Sequence, residues 1–333
     1  MSSRYVGIGC MALMLLGALS ASAQIQLGGL MRDELALGLT PTIKSAGMGG
    51  AYVGVDGPQS MNPASLSSME GMQASLYGGF YDLGKGPSAY RGRADLILPA
   101  PIIGGYSRLM VDGLASDGKG NTNLGTMEFD SVTLGSQYGR NITDWWAVGF
   151  GGYPYESAEV DLYTPDGKTK GEAFSKLGSI QLGTLFRPCE YFNIGAQFIY
   201  IKDNLEATIP NGTEMGWNYY IHYFAVGASV KPMEGTLLAL DYWNGEIRGR
   251  NNYDTPIGRI ANISRFNFGI QQKVCNYCDL RLGSSNNGLT TGFTLHINNK
   301  MDVDYAYINK ALYDKQFAFG NSNFHGLSVT YRF

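Results

Sequence analysis

The chain ends on seven residues that alternate strictly in character. Leu327, Val329, Tyr331 and Phe333 are large and apolar, and Ser328, Thr330 and Arg332 between them are polar. Successive side chains of a β-strand point to opposite sides, so this segment builds a strand with one oily and one wet face. A helix would scatter the same residues around its circumference. Whatever fold the chain adopts must offer its last strand an apolar environment on one side and a polar one on the other.

The beginning narrows where that environment is. Arg4 supplies a positive flank, Val6 to Leu19 are largely apolar, and Ala21-Ser22-Ala23 is a small-residue cleavage site. Residues 1–23 therefore read as a secretory signal peptide removed before Gln24, too short for a membrane helix. Cys10 lies inside the apolar stretch, and Gly7-Ile8-Gly9 ahead of it is a poor lipidation signal. No later run approaches the roughly 18 apolar residues of a spanning helix. If the exported chain enters lipid it must do so as a closed barrel, because an open sheet edge leaves backbone groups unsatisfied there. An exported chain whose last strand ends on an aromatic residue resembles the closing strand of outer-membrane β-barrels. The resemblance places the protein in the bacterial outer membrane, with its lipid and the barrel-assembly machinery as partners and Phe333 as the assembly terminus.

Composition agrees with a barrel. Charged residues make up 16% of the chain, against about 25% in ordinary soluble domains. Glycine (46) and tyrosine (22) are abundant, and interfacial girdles use tyrosine and tryptophan. A net charge of −3 without a basic patch gives no nucleic-acid footprint.

The connections carry more information than any one strand. Tight breaks fall at Leu98-Pro99-Ala100-Pro101, Arg140-Asn141-Ile142-Thr143-Asp144, Arg187-Pro188-Cys189-Glu190, Lys231-Pro232-Met233-Glu234, Val274-Cys275-Asn276-Tyr277 and Ile297-Asn298-Asn299-Lys300. Most hold Pro, Asn or Asp, the residues that supply turn geometry. Looser Gly/Asn/Asp-rich breaks fall near 82–90, 112–128, 164–170, 204–216, 245–261, 285–288 and 309–322. The two classes alternate, and six turns with seven loops imply fourteen strands, with both chain ends on the short-turn side. The expected fold is an all-β, 14-stranded antiparallel transmembrane barrel over residues 72–333.

Strand faces support that count. Ile194, Ala196, Phe198 and Tyr200 oppose Gly195 and Gln197; Phe266, Phe268 and Ile270 oppose Asn267, Gly269 and Gln271. Phe293, Leu295 and Ile297 oppose Thr294 and His296, and Val303, Tyr305 and Tyr307 oppose Asp302, Asp304 and Ala306. The strands at 72–81 and 102–111 are ambiguous because glycine pairs break the period. Gly135, Gly149, Gly151, Gly183, Gly195, Gly227, Gly269 and Gly283 fall on the inferred lumen face. Two readings stay open for them: strand curvature, or backbone from elsewhere packed against the wall. A fourteen-stranded barrel is wide enough to hold an open cavity unless something fills it.

Residues 24–71 are not strand-like and form the natural plug. Ser45-Ala46-Gly47-Met48-Gly49-Gly50-Ala51-Tyr52, followed by Asn62-Pro63-Ala64, resembles the hatch of the FadL family of outer-membrane long-chain fatty-acid transporters. It is equally similar to the PorV-type barrels associated with type IX secretion. The resemblance implies an N-terminal hatch in the lumen, with Gly47, Gly49, Gly50, Asn62, Pro63 and Ala64 as its motif. The alternative for the triplet is that it simply shapes a turn, since Pro63 biases Asn62 to extended backbone. The chain is shorter than the typical transporter, and the shortening is expected in the external loops that carry a first ligand groove. Permeation of small hydrophobic molecules is expected rather than specific long-chain fatty-acid recognition.

Candidate chemistry is sparse. Cys275-Asn276-Tyr277-Cys278 is a CxxC on an expected short turn, not at the helix N-terminus that activates such thiols. In an oxidising compartment it is a candidate cross-turn disulfide, with Cys189, at the same end, as a competing partner. A zinc site lacks a fourth ligand. His222, His296 and His325 read as isolated lumen or rim residues, and His325 and Ser328 face opposite sides of one strand. Arg281, Asp302, Asp304 and Arg332 share the inferred inner face and form a candidate ion-pair cluster, bracing a hatch or lining a polar path. Trp145, Trp146, Tyr153, Tyr155, Trp217, Tyr219, Tyr220, Tyr242 and Trp243 read as interfacial girdle. No catalytic residues, metal or cofactor are expected. Two functions follow: passive uptake of small hydrophobic, fatty-acid-like or aromatic molecules past a hatch, or a PorV-like barrel that binds a secreted protein cargo.

Overall fold

A computed structural model of the chain describes residues 42–82, 88–116, 120–122, 125–163, 170–208, 214–251, 256–285, 288–309 and 323–333. The expected signal peptide and residues 24–41 lie outside these, as do parts of all seven looser breaks. Two short helical elements, α1 (Ile43–Gly47) and a 3-10 turn (Pro63–Ser68), precede the strands. The strands begin with β1 (Gln73–Asp82), β2 (Ala89–Pro99), β3 (Tyr106–Ser116) and the short β4 (Gly120–Thr122). Next come β5 (Gly125–Asn141), β6 (Trp146–Tyr163), β7 (Lys170–Cys189) and β8 (Phe192–Thr208). β9 (Glu214–Val230), β10 (Thr236–Asn251) and β11 (Pro256–Cys275) are also long. β12 (Cys278–Ser285), β13 (Gly288–Asn298), β14 (Met301–Ile308) and β15 (Asn323–Arg332) finish the series.

Every wall strand pairs antiparallel with its neighbours, and the sheet closes on itself. β3 pairs with β5 directly, leaving β4 as a flap on β5. The alternating terminal strand makes the seal: β15 lies along β1 from Gln73↔Arg332 to Asp82↔Asn323. Fourteen strands thus form a closed antiparallel barrel. Closure satisfies the backbone groups that an edge would expose.

The outward faces are those the alternation predicts. Leu327, Val329 and Tyr331 are exposed, and Ser328 and Thr330 are buried. Ile194 and Phe198 point out while Gly195 and Gln197 point in, and Phe266 and Phe268 point out while Asn267 and Gly269 point in. Exposed apolar residues such as Leu76, Ile180 and Phe266 (67%, 58% and 64%) stud the outer surface. Buried arginines, aspartates, glutamines and asparagines gather inside.

Two boundaries differ from the sequence reading. The turn after β2 runs to Gly105, so Ile102 and Ile103 sit on an exposed turn and not in a strand. Gly104 and Gly105 take φ of 71° and 78°, a conformation that suits glycine and ends strand geometry. The ladders also climb into segments expected as loops, with β8 reaching Thr208, β10 reaching Asn251 and β11 starting at Pro256. Above the apolar band polar residues continue a ladder at no cost, so polarity marks the end of the lipid-facing zone rather than the end of the strand.

Candidate functional site

Residues 42–71 run inside the ring of strands, and the wall is built to receive them. Thr42 caps α1, its Oγ1 accepting from Ser45 N at 3.1 Å. After α1 the chain turns through Gly49 and Gly50, whose φ of 67° and 77° are left-handed; Gly50 N donates to Ser45 O at 2.8 Å. Asn62, extended as a residue before proline should be, is fully buried. Its Oδ1 accepts from Ala64 N at 3.1 Å, and its Nδ2 donates to Val53 O at 2.9 Å and to Thr184 O of β7 at 3.0 Å. Pro63 opens the 3-10 turn, and Ala64 packs with Ala147 and Leu185 of the wall.

The inward glycines are where backbone meets backbone. A Cβ built at Gly195 would fall on Val53 O, one at Gly183 on Asn62 Oδ1, and one at Gly149 against Pro63 and Ala64. At Gly269 it would stand 2.5 Å from Met48 O, and at Gly283 it would meet Gly49 N. Gly227 faces Gly54 N and the Asp241 carboxylate. Close approach, the second of the two open readings, therefore accounts for these six positions. Gly135 and Gly151 instead clear space for Tyr153 and for the neighbouring strand.

Polar side chains complete the fastening from almost every side. Asp241 Oδ2 of β10 accepts from Tyr52 N at 2.6 Å and Val53 N at 2.9 Å. Ser229 Oγ donates to Gly54 O, Asn267 Nδ2 to Gly50 O and Thr290 Oγ1 to Gly47 O, at 2.8, 3.1 and 3.1 Å. Gln137 and Gln197 both donate to Met61 O. The fully buried Arg108 donates to Ser60 O at 3.1 Å and to Pro58 O. Arg187 grips Asp56 in a bidentate pair, its Nη2 2.7 Å from Oδ1. Burial, with the Asp241 carboxylate beside it, pushes the Tyr52 phenol well above its usual pKa, so it stays neutral.

The structure brings Arg281, Asp302, Asp304 and Arg332 into one cluster and adds residues the sequence did not suggest. Arg281 Nη2 lies 3.3 Å from Asp304 Oδ1, and Arg332 pairs with Asp302. Lys44 from α1 reaches Asp302 at 3.2 Å and Asp304 at 3.8 Å. His296, expected to be isolated, bridges Asp302 (2.8 Å) and Asp279 (3.3 Å). His222 and His325 are exposed, with His222 beside Tyr200 and His325 Nδ1 2.9 Å from Tyr305 Oη. A second buried cluster lies outside the sequence expectations: Arg93 holds Asp95 at 2.6 and 2.8 Å and lies over the Tyr77 ring, with Arg108 beside it.

Three further expectations meet the structure. Cys275 and Cys278 face each other as the last rung of β11 and β12, yet both are free thiols, as is the exposed Cys189. A register irregularity between Lys273 and Cys275 re-aims the side chains there. Phe333 donates its N–H to Met72 O at 3.0 Å, and its exposed ring packs edge-on to Tyr331. Tyr153, Tyr219 and Trp243, read as girdle, are turned into the bore and buried at 7%, 0% and 4% exposure. Parity contained the signal. Tyr219 shares a face with Gly227, Trp243 with Asp241, and Tyr153 with Gly149 and Gly151, ahead of a register irregularity in β6. Trp145 is exposed near the short-turn end and stacks with Trp146 and Phe186. The side chains of Tyr155 and Trp217 lie outside the described residues.

No protein-family model and no curated protein matches the chain. Solved structures do. The CymD monoaromatic hydrocarbon channel superposes with a TM-score of 0.60 at 16% identity, covering 87% of this chain and 96% of that one. The toluene transporter TbuX of Ralstonia pickettii gives 0.61 at 15%, over 89% and 100%. A FadL homologue of Pseudomonas aeruginosa gives 0.60 at 11%, over 88% and 99%. The chain has the fold of these FadL-type barrels. The likeness spans the wall from end to end and at these identities is one of fold.

Proposed function

We propose that the protein is an outer-membrane channel for passive uptake of small hydrophobic molecules, with residues 24–71 as its hatch. One observation carries the reading. Above the fastened inner segment, three adjacent strands turn Ile199, Ile201, Ile221, Tyr223, Trp243 and Ile247 into the bore. Water-filled barrels line their lumen with polar side chains; an apolar lining suits an apolar solute. The hydrocarbon and toluene channels of the same fold support the choice of solute class. No observation on the described residues favours a protein cargo, and the reading requires no covalent chemistry.

The route follows from comparing bonds. More than half of the wall strands hold the inner segment, and at about 0.5–1.5 kcal/mol per bond its wholesale ejection is costly. Between Gly151↔Gln181 and Glu156↔Leu177 the β6–β7 ladder is interrupted, and Tyr153 N reaches Ser179 Oγ at 2.9 Å instead of a backbone carbonyl. We therefore place solute release sideways through this seam, with the inner segment staying in place.

Flux of a labelled alkylbenzene into liposomes holding the full mature chain tests the function. Uptake above empty liposomes is expected, and Ile221→Asp should cut it about tenfold or more by charging the apolar path. Flux no higher than that of empty liposomes, with the barrel folded and inserted, overturns the proposal.

A further inference from the structure

The apolar lining of the upper bore contains two polar atoms that the protein leaves unused. Trp243 Nε1 and Tyr223 Oη sit on side chains 4% and 2% exposed and have no hydrogen-bond partner among the described residues. Arg108, Arg281, Asp241, Gln197 and Asp203 also carry one such atom each. The first four are otherwise bonded to the inner segment or to the ion cluster, and Asp203 has a partner of its own. The indole and the phenol have no such second duty.

Register holds the two together. Trp243 stands opposite Ala225 on β9, and Tyr223 opposite Ile199 on β8 and Gly245 on β10. Gly245 gives the phenol ring room, since a Cβ there would lie 2.5 Å from it. The Tyr223 and Trp243 rings meet edge to face at 6.4 Å and 74°, and Tyr52 of the inner segment meets Trp243 at 5.7 Å. The group thus rests directly on the inner segment, with Ile199 and Ile221 beside it.

Burying a donor with no acceptor weakens a structure by a factor of roughly ten or more. Phenylalanine at either position would bury a similar ring without that penalty. Two such donors, adjacent and inside the apolar lining, fit an occupant that brings its own acceptor. We infer that Trp243 and Tyr223 form a recognition site for a small aromatic molecule carrying a hydrogen-bond acceptor, such as an aromatic ketone, ester or phenol. This rests on the channel reading above and narrows its solute class. The indole N–H and phenol O–H donate to the solute oxygen, the rings take its aromatic face edge-on, and the isoleucines bury its hydrocarbon part. A hydrocarbon of the same shape fills the same space but leaves both donors unpaired, and sites built to donate reject such analogues.

Calorimetric titration of the folded full mature chain with acetophenone and with α-methylstyrene, in which CH2 replaces the carbonyl oxygen, tests the inference. Acetophenone is expected to bind about tenfold more tightly. Trp243→Phe and Tyr223→Phe should each reduce that preference, and the double variant should abolish it, so that it binds the two probes with equal affinity. Equal affinities in the unmodified protein, or a preference that survives in the double variant, overturn the recognition site and leave the channel reading standing. Binding of neither probe by the folded barrel overturns both.

Discussion

At Gly195 the missing side chain is the site at which a distant stretch of backbone docks. Val53 O occupies the place of its Cβ, so Gly195→Ala forces the inner segment away from β8. Overpacking of this kind costs about 1–3 kcal/mol. Gly92 of β2 is a matched control, with nothing within 4 Å of a Cβ. Gly195→Ala is expected to lower the unfolding temperature in detergent and to expose the 42–71 segment to protease, and Gly92→Ala to do neither; equal behaviour of the two would refute the docking account. The periodicity of β8 is enough to place Gly195 on the inner face. What it meets there is illegible in the sequence, because Val53 lies far away along the chain and no local pattern encodes a contact made through backbone atoms. Asn62 shows the same limit. Its turn-forming half, the bond to Ala64 N, follows from Asn-Pro chemistry, whereas its bond to Thr184 O depends on the assembled barrel.

Among the elements, the contrast between β14 and α1 is instructive. Strict alternation along β14 is sufficient by itself to put Asp302 and Asp304 on one face. Five residues in α1 carry too little pattern to say that Lys44 lands between them. Asp302 is fully buried and serves Lys44, Arg332 and His296 at once, whereas Lys44 is 19% exposed. Removing one partner of a buried pair costs about 3–5 kcal/mol when the charge left behind stays uncompensated. Asp302→Ala is therefore expected to destabilise the barrel markedly by thermal unfolding, as it takes a buried carboxylate from Lys44 and Arg332 at once. Lys44→Met should cost about 1 kcal/mol, since Asp302 and Asp304 retain Arg332, His296 and Arg281. A Lys44 variant as damaging as the Asp302 variant would mean that α1 carries the cluster, rather than the wall. Along β9 and β10 the inward aromatics are readable by counting from Gly227 and Asp241. Reading them as girdle gives proximity to strand ends more weight than parity, and parity is the stronger constraint.

For the whole molecule, the closure of the wall and the filling of the bore rest on separate sets of bonds. The ring is completed by the β1–β15 and β3–β5 ladders, neither of which includes a residue of 42–71. The inner segment is held by side chains that point away from those ladders, and many of them, Arg108, Asp241, Asn267 and Gln197 among them, are polar groups that water would solvate in its place. Removing residues 24–71 should accordingly leave an insertable barrel. Its bore, at fourteen strands, is too wide for the remaining side chains to fill, and the newly freed charges make it hospitable to ions. In planar bilayers the shortened chain is expected to show stepwise ionic conductance, while the full mature chain passes little current. A shortened chain that fails to fold would show that the wall depends on the segment after all. One that folds but stays non-conducting would show that something other than this segment stops the bore.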